Sequence, residues 1–152
     1  MKKLIYFILF IFAAIACEEV YDPPPQALLE ATIKHSDPDL TGIPKVSVYG
    51  VDQDSIWIYQ EQTNSFRLPL TSHESSSFVV LLDSIVDTLT IAHSTDFKYE
   101  SMESGFYNEH SILNVEYTLN RIDSVVVIDS AVTKTWHENI QLYIGTVPTV
   151  NQ

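Results

Sequence analysis

Five histidines, at positions 35, 73, 93, 110 and 137, are the most versatile side chains of this sequence. A histidine ring can ligate a metal or serve as a base near neutral pH. Short-range metal sites need pairs such as His-x-His or the helical His-Glu-x-x-His. Neither occurs: His73-Glu74 runs into three serines and His137-Glu138 into Asn139-Ile140-Gln141. Most of the histidines are expected in surface turns, and no metal or cofactor is expected. A serine nucleophile is commonly displayed on a Gly-x-Ser-x-Gly elbow, but the four glycines, Gly42, Gly50, Gly105 and Gly145, flank no serine in that way. The same shortage removes glycine-rich phosphate cradles. Twenty acidic residues supply carboxylate pairs by number alone. Asp37-x-Asp39 and Asp52-x-Asp54 open like fragments of calcium loops but lack the glycine and distal glutamate that complete one. No catalytic residues are expected, and the chain is not expected to be an enzyme.

Cys17 offers chemistry of a different kind. Met1-Lys2-Lys3 is followed by an apolar run from Leu4 to Ala16. At roughly 13 residues the run suits a signal-peptide core and falls short of the ~20 needed to span a bilayer. Small residues before a cleavage site let the backbone enter a narrow protease site, and the next residue is the only cysteine of the chain. Ala14-Ile15-Ala16-Cys17 resembles the lipobox of bacterial lipoproteins, with Ala14 where Leu or Val is usual. The resemblance implies cleavage before Cys17 and acylation of its thiol; the alternative is an ordinary secretory signal that leaves Cys17 free. Glu18, Glu19 and Asp22 follow at once. They are similar to the acidic cluster that directs lipoproteins to the cell surface in Bacteroidota, and equally suit a solvated linker. Pro23-Pro24-Pro25 favours an extended tether. The expected organisation is a signal peptide over 1–16, a lipidated tether over 17–26 and one domain over 27–152.

Loss of Lys2 and Lys3 leaves six basic residues against 20 acidic, a net charge of −14. Such a surface repels phosphate backbones, so nucleic acid is not expected as a partner. Within the domain the hydrophobic period is two. Val46-x-Val48, Ile56-x-Ile58, Leu89-x-Ile91, Val115-x-Tyr117-x-Leu119 and Ile140-x-Leu142-x-Ile144 alternate with polar or aromatic residues, as half-buried strands do. Two denser runs, Phe78–Leu82 and Val125–Ile128, read as strands buried on both faces. Turn residues separate these segments at the spacing of a sandwich or small barrel. The expected fold is all-β, an antiparallel immunoglobulin-like β-sandwich of eight or nine short strands. Glu100 to Ile112 lacks alternation and is expected to be a long loop or a helical turn.

The order of several short motifs carries a further resemblance. Val48-Tyr49-Gly50-Val51, Asp54-Ser55-Ile56, Leu68-Pro69-Leu70, Asp87-Thr88-Leu89-Thr90-Ile91, Ser104-Gly105-Phe106, Ile122-Asp123-Ser124-Val125 and Asn139–Ile144 follow one another. The series resembles uncharacterised Bacteroidota lipoproteins grouped as domain of unknown function family 6452. That resemblance implies an outer-membrane location, with the membrane held through a lipid anchor and an outer-membrane β-barrel protein as partner. Ser104 stands where many members have a cysteine. Ser55, Ser84, Thr88, Ser124 and Ser130 each follow an aspartate and precede an aliphatic residue, matching the O-glycosylation sequon of that phylum; turn-to-strand junctions produce the same tripeptide. Phe97, Tyr99, Phe106 and Tyr107 are the expected partner contacts. The functional expectation is a non-enzymatic accessory subunit of an envelope assembly, docking through an exposed sheet edge or the segment around Ser104 to His110. The alternative is a cell-surface lipoprotein that binds glycans.

Overall fold

The computed structural model describes residues 23–53 and 55–146. Cys17, Glu18, Glu19, Asp22 and Asp54 lie outside the described residues.

Ten strands form two sheets, and no helix occurs among the described residues. They are β1 (Leu28–His35), β2 (Lys45–Gly50), β3 (Ile56–Gln62), β4 (Ser65–Pro69), β5 (Ser75–Leu82), β6 (Ile85–Ser101), β7 (Gly105–Tyr117), β8 (Ile122–Val127), β9 (Ala131–Val132) and β10 (Glu138–Ile144). One sheet has the order β4-β1-β10-β8, the other β3-β2-β5-β6-β7-β9. The all-β expectation holds, with two corrections. There are ten strands rather than eight or nine, and β1 runs parallel to β10 while the other pairs are antiparallel. A parallel pair needs a crossover, and here β2 to β9 lie between its members in sequence.

Alternation decides what is buried. Leu29, Ala31 and Ile33 of β1 meet Val46 and Val48 of β2, Phe78, Val80 and Leu82 of β5, Leu89 and Ile91 of β6, and Ile140, Leu142 and Ile144 of β10 in one cluster shared by both sheets. Asn139 ties the sheets at one end. Its side-chain oxygen accepts from the Glu30 amide, and its nitrogen donates to the carbonyls of Asp129 and Ala131.

The expected loop at Glu100–Ile112 is instead the continuation of a long hairpin, whose strands β6 and β7 turn over Met102–Ser104. Its alternation is hidden by two register shifts. Leu113 is an extra residue between the Ala92↔Asn114 and His93↔Ile112 pairs, so inward positions in β7 change from even (His110, Ile112) to odd (Val115, Tyr117). Glu100 is the corresponding extra residue in β6. A bulge shifts the phase by one, and a window that spans it shows no period. The second dense run is also corrected. Phe78–Leu82 alternates between buried and half-buried, whereas Val126, Val127 and Ile128 are exposed because β8 is a sheet edge.

Candidate functional site

Period two fixes which side chains of the long hairpin share a face. In β6, Asp87, Leu89, Ile91, His93, Thr95, Phe97 and Tyr99 lie on the core-facing side; opposite them in β7 stand Ile112, His110, Asn108 and Phe106. The first members of this row are buried, and so are His93 and His110. Beyond them the face is uncovered. Phe97 is 70% exposed, Tyr99 57% and Phe106 54%, and Met102 in the turn is 91% exposed. The rings hold one another: Phe97 and Phe106 stack with centroids 4.8 Å apart, and Tyr99 meets Phe106 edge-on at 5.2 Å. The opposite face is charged. Lys98 pairs with Asp96 at 3.2 Å, Lys134 reaches Glu100 at 2.5 Å and lies over the Tyr107 ring at 5.6 Å, and the Tyr107 hydroxyl donates to Glu109. Of the four expected contacts, Phe97, Tyr99 and Phe106 form one exposed cluster, while Tyr107 is half-buried on the other face.

His93 and His110 sit where the covered part of the row ends. Their rings meet edge-on with centroids 4.9 Å apart. His93 Nε2 lies 3.0 Å from the Ser76 hydroxyl, and His110 Nδ1 lies 3.0 Å from that of Thr95. Burial pushes His110 down to about 4, with help from the neighbouring His93. Burial also lowers His93, partly offset by the Ser94 backbone. Both rings are therefore neutral near pH 7. These two histidines are the exceptions to the expected surface turns. The signal that finds them is the alternation itself, because Leu89-x-Ile91-x-His93 keeps the histidine in the buried phase.

Ser76 and His93 form a serine–histidine pair that sequence spacing does not reveal. It lacks the exposure of a nucleophile: Ser76 is 2% and His93 1% exposed, and the Thr71 amide already donates to the serine oxygen. The pair fastens the loop between β4 and β5 to β6. Among the described residues no three of His, Cys, Asp and Glu converge as a metal site.

The chain enters the fold at the same end. Pro25, Gln26 and Leu28 share a cavity of about 300 Å³ with Trp57, Asn108 and His110. The Trp136 indole donates to the Gln26 carbonyl at 2.9 Å, and the Arg67 guanidinium covers the Trp136 ring at 4.2 Å. Trp57 also lines a neighbouring cavity of about 440 Å³ with Glu30, Glu61 and Arg67.

The opposite end is a polar knot around Asp87. Its carboxylate, fully buried, accepts from the Thr118 hydroxyl at 2.7 Å and from the amides of Asn120, Arg121 and Ile122 at 2.9, 2.8 and 3.1 Å. The Arg121 side chain donates to the Gly145 carbonyl and to Asp83. Asp87 thus clamps the turn between β7 and β8. The sequon residues fall into two groups by exposure. Ser84 is exposed in the β5–β6 turn, as are Ser55 and Ser130 in other connections; Thr88 and Ser124 are half-buried within strands.

No curated protein sequence and no solved structure matches the chain. A family model described only as a family of unknown function does match, over residues 45–144, from the first residue of β2 to the last of β10. With that span, which takes in the whole hairpin and both histidines, the chain belongs to the family of unknown function DUF6452.

Proposed function

We propose that this protein is an outer-membrane lipoprotein, acylated at Cys17, whose immunoglobulin-like sandwich serves as a non-enzymatic docking subunit for a larger envelope assembly centred on a β-barrel protein. The observation that carries the docking role is the β8 edge. Each sheet has two edges, and an unprotected edge is a template for another strand. Three of the four are blunted. β3 is bulged opposite Ser47, with Gln60 at φ 47; β4 is five residues long with Arg67 and a terminal proline; β9 has only two residues. β8 instead presents Val126, Val127 and the following Ile128 exposed in succession. An edge of this kind suits strand addition by a partner. The signal-like N-terminus and Cys17 support the location, and the buried, already satisfied Ser76 supports the absence of catalysis.

The test is a mild-detergent pull-down of the tagged full chain from its native host, beside Cys17→Ala and Val126→Lys. A stoichiometric membrane protein should accompany the parent and be lost from both variants. Recovery of the protein alone in all three would refute the docking role.

Glycan binding is a second reading, favoured by Trp57. This half-exposed indole lines a groove with Glu30, Glu61 and Arg67, a mixture of ring surface and charged groups that sugars use. Glycan-array binding that disappears in Trp57→Ala would establish it.

A further inference from the structure

We propose that the aromatic face of the β6–β7 hairpin rests in the interface of a membrane made of zwitterionic lipid, giving the domain a second, non-covalent hold beside its acyl anchor. The inference rests on the reading of Cys17 as a lipidated residue.

Four observations converge. The hairpin is amphipathic in the manner of an interfacial element: Phe97, Tyr99 and Phe106 occupy one face, with Met102 at the turn, and Asp96, Lys98, Tyr107 and Glu109 occupy the other. Aromatic rings with polar edges concentrate at the boundary between headgroups and acyl chains. Exposed rings on the continuation of a core-facing row are also costly to leave in water. Second, the tether enters beside this element. Pro25 and Gln26 line one cavity together with Asn108 and His110, the residues next to the overhang on the aromatic side of β7.

Third, the lengths agree. The described chain begins at Pro23, six residues after Cys17, and six residues span at most about 20 Å. From His110 to Gly105 the hairpin advances five residues, roughly 17 Å at strand rise. A tether extended along the hairpin therefore lets an acylated Cys17 and Met102 reach the same membrane. Fourth, charge selects the lipid. Asp96 and Glu100 are each paired with a lysine, but Glu103 sits in the turn and the chain after cleavage carries −14. Anionic headgroups would repel this end, whereas neutral ones would not.

The test uses the acylated full chain reconstituted in phosphatidylcholine vesicles. Met102→Cys carries a bimane label, and Asp39→Cys, in the exposed loop after β1, carries the same label as a control. Both sites are exposed, so neither substitution threatens the fold. Intact mass first establishes the acyl groups on Cys17, because their absence would remove the anchor reading itself. With acylation established, the Met102→Cys label should emit at shorter wavelength and be quenched by brominated acyl chains, and the Asp39→Cys label should show neither effect. Replacing a third of the lipid by phosphatidylglycerol should weaken the quenching. Equal exposure of both labels on vesicle-bound, acylated protein would overturn the proposal. So would a Met102→Cys photocrosslinker that joins a protein rather than lipid in native membranes.

Discussion

The two ends of this domain solve the problem of buried polar groups in opposite ways. At the Asp87 end a carboxylate with no exposed surface is saturated by one hydroxyl and three amides. At the hairpin end two buried imidazoles touch each other, each with one hydroxyl partner, and His93 Nδ1 makes no hydrogen bond of good geometry among the described residues. A charge can be kept inside when every lone pair is answered; rings answered in part stay inside only by remaining neutral. The first end is closed for structure, and the second leads outward to uncovered aromatic rings. The difference suits one end to stability, and the other to the contact proposed for the hairpin.

The largest effect is expected at the closed end. Asp87→Ala leaves three amides and a hydroxyl without their acceptor at a fully buried site. Loss of a charge-assisted buried network costs about 3–5 kcal/mol. Urea unfolding should show this as a lower midpoint at unchanged slope. A loss below about 1 kcal/mol would mean that the turn between β7 and β8 is held by something other than the carboxylate.

At the open end the corresponding effect depends on pH. The unfolded chain binds a proton at each histidine near the ordinary value of 6.5, while folded His110 does so only near 4. Between those values the unfolded state holds more protons, so stability rises with pH. The contribution of His110 is complete above about pH 6.5 and is lost progressively as pH falls towards 4. A depression of this size corresponds to about 3 kcal/mol. In His110→Phe the fall between pH 6.5 and 5 should shrink without vanishing, because burial still lowers His93. An unchanged pH slope in that variant would place the acid sensitivity elsewhere, and the contrast between the two ends would lose its basis.

These two ends also differ in how legible they are. The strands of the core announce themselves by period two, and Val46, Val48, Leu89, Ile91, Ile140, Leu142 and Ile144 are buried as their spacing requires. The aromatic cluster is half legible: Phe97, Tyr99 and Phe106 stand out by type, but the bulges at Leu113 and Glu100 erase the phase that would place them on a strand. Asp87 is illegible from its neighbours. Asp87-Thr88-Leu89 reads equally as a sequon or a turn, because the carboxylate's partners lie more than 30 residues away at Thr118 to Ile122. Val125 to Ile128 misleads for a related reason. Local composition cannot say whether a strand has a neighbour on each side, and β8 has only β10.

If the hairpin face serves contact rather than folding, removing its rings should cost little in stability. Phe97 and Phe106 are mostly exposed, so Phe97→Ser with Phe106→Ser forfeits chiefly their stacking, about 1 kcal/mol. Thermal unfolding should shift by only a few degrees, while vesicle association of the acylated protein weakens. A loss comparable to Asp87→Ala would show that the aromatic row is part of the core.

The smallest effect tests the turn beside the closed end, and its sign is opposite. Leu82 pairs with Ile85, so Asp83 and Ser84 form a two-residue connection, with φ of 52° and 78°. Positive φ at both positions is the type I′ arrangement that strand twist favours, and it is normally supplied by Asn-Gly or Asp-Gly. Asp83 fits and is held by its bonds to the Lys45 amide and to Arg121. Ser84 pays the steric penalty of a Cβ in the left-handed region, about 1–2 kcal/mol. Glycine removes that penalty but adds freedom to the unfolded chain, about 0.5–1 kcal/mol. The balance for Ser84→Gly is therefore a gain of about 0.5 kcal/mol, read as a slightly higher denaturant midpoint. The same substitution deletes an exposed turn sequon, Asp83-Ser84-Ile85. Protein from the native host would then also lose mass if Ser84 carries a glycan, and a glycan that restricts the unfolded chain would reverse the sign of the change. Measured on unglycosylated and native-host material side by side, one substitution separates the conformational role of the turn from its modification.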